Sequence, residues 1–239
     1  MKVALFVPCF VDAIYPQAAL AAAEVLESLG CEVSFPEDQI CCGQPPFNSG
    51  DWETARIISR RQLQIFAGTD PIVALSGSCG AMMKIFNPEL FHGQPEESLA
   101  RQVASRTHEF SNFLVNVLKV EDVGASLPAR ATFHDGCHGL RELGLKQPPR
   151  RLLAHVRGLE LVEMAEAETC CGFGGTFAVK FSMISTAMGE VKCDAIAATG
   201  ADIVVSNDAS CLMQISAMLE RQGRPRRCMH LAEVLASRS

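Results

Sequence analysis

A chain of 239 residues, 48% hydrophobic, with 27 acidic against 21 basic residues and a net charge of −6, has room for one large or two small packed domains and is too apolar to stay disordered. That charge, with one short basic cluster (RQGRPRRC, 221–228) that reads as a solvated loop between a helix and a strand, excludes a surface that tracks phosphates, so no nucleic acid is expected as a partner. No apolar run nears the ~18 residues that cross a bilayer, and the opening MKVALFVPCF meets Asp12 too soon for a secretory leader. The expectation is a cytoplasmic protein that is not an integral membrane protein.

In chain order, VALFVPC reads as a buried strand running into Cys9. PQAALAAAEVLESLG reads as a helix, with Pro16 in its first turn and Gly30 just past its end. CEVSFPE alternates like a strand and leads to CCGQPP, which carries Cys41 and Cys42. DWETARIISRRQLQIFAG predicts a helix capped by Asp51, with Ala55, Ile58 and Phe66 on one face. PIVALSGSC is an apolar strand ending at Cys79. FNPELFHGQPEES, 86–98, is expected to be an extended surface loop, and HEFSNFLVNVL from His108 a closing helix. EDVGASLPAR holds Gly124 and Pro128 and reads as a linker.

Beyond it the order repeats. ATFHDGC runs into Cys137, LELVEMAE leads to the pair Cys170 and Cys171 in TCCGFGG, ADIVVSNDASC ends at Cys211, and HLAEVLA from His230 resembles the first closing helix. Equivalent cysteines are 128, 129 and 132 residues apart, so the chain is an internal duplication with a period near 130. The division expected is a first cysteine-rich domain over 1–120, a linker over 121–129 and a second domain over 130–239. Strands alternating with helices imply parallel β-α-β units, hence two duplicated Rossmann-like α/β domains related by a pseudo-two-fold axis, each with a parallel sheet flanked by helices.

Eleven cysteines in a chain without a leader suggest metal or redox chemistry rather than disulfides. No two have C-x-x-C spacing, which argues against a zinc ribbon, a thioredoxin motif and a ferredoxin-type run. In an open parallel sheet the strand C-termini form the binding edge. Cys9, Cys41, Cys42 and Cys79 therefore converge in one half and Cys137, Cys170, Cys171 and Cys211 in the other, with Gly43 and Gly172 turning the chain after each pair. Four thiolates suit a [4Fe–4S] cluster, one or two per chain; a structural zinc, thiol redox chemistry and buried structural cysteines are the alternatives. His134 and His138 in HDGCH are candidate extra ligands or part of a Cys–His pair. Cys31, Cys193 and Cys228 have no repeat partner and read as small buried hydrophobes. His108 and His230 match between the halves and either cap a helix or line the site, with the structural role favoured. Phe177 stands where G-x-G-x-x-G needs its third glycine, so CGFGG is no dinucleotide fingerprint, and no catalytic residue stands out.

A cysteine, a CCG some thirty residues on, and a further cysteine, all duplicated, resemble the cysteine-rich CCG domain found in heterodisulfide reductase and in the iron–sulfur subunit of glycolate oxidase. With CCGQP, SGSCG, DVGASL, TCCGFGGTF and MHLAEVL, the whole chain is similar to the lactate-utilisation protein A group of that family. The resemblance implies an iron–sulfur electron-transfer subunit of an NAD-independent system that oxidises L-lactate to pyruvate, working with other subunits of a lactate-oxidising complex. A non-catalytic scaffold that binds zinc or no metal and organises partner proteins is the alternative. The wider family closes each copy on C-x-x-C. Here Met82 and Gln214 hold the last positions, leaving four cysteines per copy, enough for a cubane.

Overall fold

The computed structural model describes residues 1–68 and 70–239, and in them the duplication is visible as two sheets of identical topology. The first contains β1 (Lys2–Phe6), β2 (Glu32–Ser34), β3 (Ile72–Ala74) and β4 (Thr107–Glu109), ordered β2-β1-β3-β4. The second contains β5 (Ser126–His134), β6 (Arg157–Leu161), β7 (Ile203–Ser206) and β8 (Arg227–His230), ordered β6-β5-β7-β8. All pairings are parallel, and the registers correspond: Phe6 pairs with Ala74 as His134 pairs with Ser206. These are duplicated Rossmann-like α/β units.

The local reasons are those the sequence carries. Pro16 opens the helix Pro16–Ser28, which buries Ala18, Ala22, Val25 and Leu26 along one stripe and stops before Gly30 at φ +79°. The Asp51 carboxylate accepts from the Thr54 N–H at 3.1 Å and caps the helix Trp52–Ile65. β3 and β7 are covered on both faces and are wholly apolar but for Ser206.

One core runs through both halves. Val3, Leu5 and Phe110 of the first half belong to the same buried cluster as Phe133, Val205 and Leu231 of the second. The helix Pro16–Ser28 packs on Leu231–Ala236, and Gln147–Leu153 packs on the helical segment 110–117. Likewise the helix Gly77–Ala81 meets Cys137–Glu142, while Cys9–Ile14 meets Ala209–Arg221. Each contact recurs with the roles of the halves exchanged, as a pseudo-two-fold axis requires.

Two expectations are corrected. Residues 86–98 are not an extended loop: Asn87–Leu90 is helical, Glu97 starts the helix Glu97–Arg106, and Asn87, Leu90 and Phe91 lie in the core. Pro88 fits the first turn of a helix, and Leu90 and Phe91 supply the apolar contacts that hold it. His108 and His230 are not equivalent. His230 caps Leu231–Ala236 through Nδ1, which accepts from the Ala232 N–H, but in the first half the cap is Glu109, which accepts from the Asn112 N–H. Each half also closes with a short strand before its last helix, and β5 begins at Ser126, inside the stretch read as a linker.

Candidate metal centre

Every repeat-matched cysteine lies just beyond a strand C-terminus. Cys9 and Cys137 begin the helices after β1 and β5, Cys79 and Cys211 sit in the first turns after β3 and β7, and the pairs occupy the loops after β2 and β6. The glycine after each pair has no substitute. Gly43 has φ +87° and a Cβ there would meet Ser59 Oγ at 2.7 Å; Gly172 has φ +86° and a Cβ would meet the Ser185 carbonyl at 2.5 Å.

The loops that carry the pairs are tied to their sheets. Gln39 Oε1 accepts from the Val7 N–H at 2.7 Å, and Gln62 Oε1 accepts from the Ile40 N–H at 3.1 Å. In the second half, Lys192 Nζ donates to the carbonyls of Glu166 and Ala167, and Arg150 clamps Asp135, just before Cys137, with two hydrogen bonds at 2.9 and 2.7 Å. The Asp135 side chain is 1% exposed, so this pair fixes the backbone that presents Cys137.

In the first half Cys42 Sγ lies 3.2 Å from Cys79 Sγ. In the second half Cys171 Sγ and Cys211 Sγ lie within 4.8 Å of each other. Hydrogen bonds from Cys42 and Cys9 push the Cys41 thiol down to about 2; those from Cys137 and Cys171 do the same for Cys170. Cys9 and Cys137 move up because each gives its hydrogen bond to that thiolate; Cys42 and Cys171 move up for the same reason. Each set thus holds one thiol that ionises readily beside two that stay protonated, and a bound cation favours release of those protons.

Spacing alone does not show that the two sets share one chamber. All eight thiols line a single cavity of about 110 Å³ between the halves. Contacts across the two-fold flank it: Phe10 against Phe173 at 5.2 Å and Phe86 against His138 at 6.0 Å, with Ser49 Oγ and Thr176 Oγ1 at 3.0 Å on the surface. The Asp208 carboxylate joins the halves beside it, accepting from Ser76 Oγ at 2.5 Å and the Ser78 N–H at 3.1 Å. Gly77 and Gly139 let the backbones touch, since a Cβ on Gly77 would lie 2.8 Å from Gly139 Cα.

Among the described residues all cysteines are free thiols. Cys31 and Cys193 are buried in apolar surroundings and Cys228 is partly buried; none of the three lines the cavity. His138 lines it, with Nδ1 at 3.7 Å from Cys137 Sγ. His134 lines it fully buried, and its ring nitrogen, Cys171 Sγ and Cys211 Sγ all lie within 4.8 Å of one another. Four thiols from each half on one cavity, one of each four readily ionised, are a donor set for a thiophilic metal or an iron–sulfur cluster.

Comparison with known proteins agrees with the duplication. A family model described as a cysteine-rich domain, CCG, matches twice, over residues 3–84 and 131–216. Lactate utilization protein A of Geobacillus thermodenitrificans (strain NG80-2) is 50% identical over 240 residues, covering 100% of both chains. The protein of the same name from Bacillus licheniformis is 46% identical over 239 residues, again with 100% of both chains covered. A hypothetical protein from Helicobacter pylori shares the fold, with a TM-score of 0.60 at 12% identity over 98% of this chain and 48% of its own.

Proposed function

The chain belongs to the CCG-domain family that includes lactate utilization protein A, and from that premise we propose that it is the iron–sulfur electron-transfer subunit of a system oxidising L-lactate to pyruvate. The observation that carries the reading is the pair of four-thiol sets on one cavity. Cys9, Cys41, Cys42 and Cys79 hold one centre; Cys137, Cys170, Cys171 and Cys211 hold the other, with one domain over 1–120 and one over 130–239. When bound, an iron–sulfur cluster supplies one-electron storage and transfer.

The protein does the rest. The four thiolates fix the centre's position, Gly43 and Gly172 allow the pairs to turn inward, and the surrounding fold buries Cys42, Cys79 and Cys171. Removing two electrons from a 2-hydroxy acid calls for a hydride acceptor such as a flavin. The sequence has no intact dinucleotide fingerprint, so that acceptor belongs to another subunit and this chain relays its electrons singly. No helix among the described residues is long and apolar enough to cross a membrane. The proposed site of action is the cytoplasm.

Anaerobic purification followed by iron and acid-labile sulfide analysis tests the reading. Near-equal iron and sulfide are expected; stoichiometric zinc without sulfide would replace it with the scaffold reading. Lactate-dependent dye reduction should require the partner subunits, and turnover by this chain alone would refute the relay assignment.

A further inference from the structure

The two centres are alike in their cysteines and unlike in several neighbours, Phe10 against His138 and Ser76 against Asp208 among them, and the difference at the end of the first strand of each sheet is the one that leaves a buried polar group unpaired. β1 ends on Phe6 and β5 ends on His134, and each is the last residue of its strand to pair with the next strand over, with Ala74 and Ser206 respectively. Phe6 satisfies itself by packing edge-on against Phe66 at 5.7 Å. His134 does not. It is 0% exposed, its carbonyl is pinned by Ser206 Oγ at 2.9 Å, and both ring nitrogens lack a hydrogen-bond partner.

A neutral imidazole carries one N–H, and a buried donor without an acceptor forfeits its hydration with nothing in return. The ring lines the cavity, and the sulfurs of Cys171 and Cys211 are within 4.8 Å of its nitrogen. A protonated thiol is a poor acceptor, whereas a metal-bound thiolate carries the charge that an N–H seeks. The nearby Lys192 cannot serve as the equivalent donor, because it is committed to the carbonyls of Glu166 and Ala167. Cys170, the thiol that ionises readily, makes no hydrogen bond to the ring, so the acceptor at Cys171 or Cys211 arrives with the metal.

We propose that His134 donates its imidazole N–H to the metal-bound thiolates of the second cysteine set, so that the second centre holds an electron more tightly than it would without that hydrogen bond. A hydrogen bond to a ligating sulfur withdraws charge from it and favours the reduced, more negative state. His134 is a positioning and tuning residue, and the first half has no side-chain counterpart because Phe6 occupies its place.

The inference rests on the iron–sulfur reading above, and its test separates the two. Iron and sulfide are measured first in the wild-type protein; zinc in their place overturns that reading and the tuning claim with it. Next, dithionite titration followed by electron paramagnetic resonance is run on wild type and His134→Phe, with Cys42→Ser and Cys171→Ser assigning the centres. The expected result is unchanged iron content, an unchanged first centre, and a second centre whose electron occupancy falls at least tenfold at fixed potential, a shift of about 59 mV for a one-electron couple. An unshifted second centre would overturn the proposal. To cover loss of metal from the variant, wild-type protein labelled with 15N-histidine provides a second readout. A weak nitrogen coupling and an exchangeable proton coupled to the second centre support the hydrogen bond. No coupling refutes it, and a strong, directly bonded coupling refutes it in favour of ligation. Should the metal be zinc, which takes up no electron, the tuning claim is overturned with the iron–sulfur reading, and a solvent-protected His134 N–H in 15N-labelled, cadmium-loaded protein would show only the hydrogen bond.

Discussion

Replacing Asp208 by alanine should weaken the whole molecule. Asp208 belongs to the second half, is 2% exposed, and accepts from Ser76 Oγ at 2.5 Å and the Ser78 N–H at 3.1 Å in the first half. Hydrogen bonds to a charged group contribute about 1.5–3 kcal/mol each. Relief from burying a carboxylate offsets part of that sum, leaving a net loss of about 2–4 kcal/mol. For a chain of this size that lowers the melting temperature by about 4–16 °C. The assay is urea unfolding of the anaerobic protein with its metal retained. Because one apolar cluster spans both halves, a single cooperative transition is expected before and after the change. Asp194→Ala is the control: its side chain is 68% exposed and pairs with Arg224 at the surface, so it should cost under about 1 kcal/mol. A loss from Asp208→Ala no larger than the control's, or a wild-type transition split into two, would refute the view that the halves are joined as one unit through this carboxylate and the shared core.

Gly77→Ala should cost about 1–3 kcal/mol by driving its Cβ to 2.8 Å from Gly139 Cα, whereas Gly139→Ala meets nothing nearer than 3.4 Å and should be nearly neutral; equal effects in denaturation would contradict the close approach. Burial raises the Glu109 carboxyl to about 7, with the Ser111 hydroxyl and the Asn112 N–H as partners and Asp208 as a nearby carboxylate. An acid whose folded pKa is raised contributes stability at low pH that is lost as pH climbs through the folded value. The wild-type-minus-Glu109→Gln difference should therefore fall by about 3 kcal/mol from about pH 4.5 to above 7, and a flat difference would show that Glu109 titrates normally. Cys42→Ser and Cys171→Ser should each remove about half the bound iron, and loss of all of it from either variant with the fold intact would show that the two sets are not separate centres.

Much of the molecule is legible in the sequence because duplication writes the same constraints twice. A single CCG is weak, but two cysteine sets repeated at nearly constant offset, each on alternating strands and helices, specify parallel sheets with thiols beyond their strand ends. What cannot be read is long-range. β4 is three residues long, and its Thr107, His108 and Glu109 look polar in sequence because the strand leads directly into a cap. The 86–98 segment reads as a loop because Pro88 and Gly93 suggest breaks, while the burial of Phe91 depends on contacts absent from local pattern. In sequence His134 stands out only as a neighbour of Cys137. The cysteine offset of 128 and the strand register both place it opposite Phe6, but only the structure shows that the ring there is fully buried with no partner.

The same register explains why the halves remain fused in one chain. Each sheet edge supplies four thiols but only part of a wall. Phe10 meets Phe173 and Phe86 meets His138 beside the chamber, Ser49 meets Thr176 on the surface, and every one of these contacts crosses between halves. An isolated half would also expose the apolar face that Pro16–Ser28 or Gln147–Leu153 now covers with the opposite closing helix. Its thiols would stand in water, open to oxidation, on a fold with half its core missing. Joining two copies about a two-fold axis removes both defects with the same set of contacts. It leaves the residues around each thiol set free to diverge, as Phe6 and His134 have done, without disturbing the cysteines that define either site.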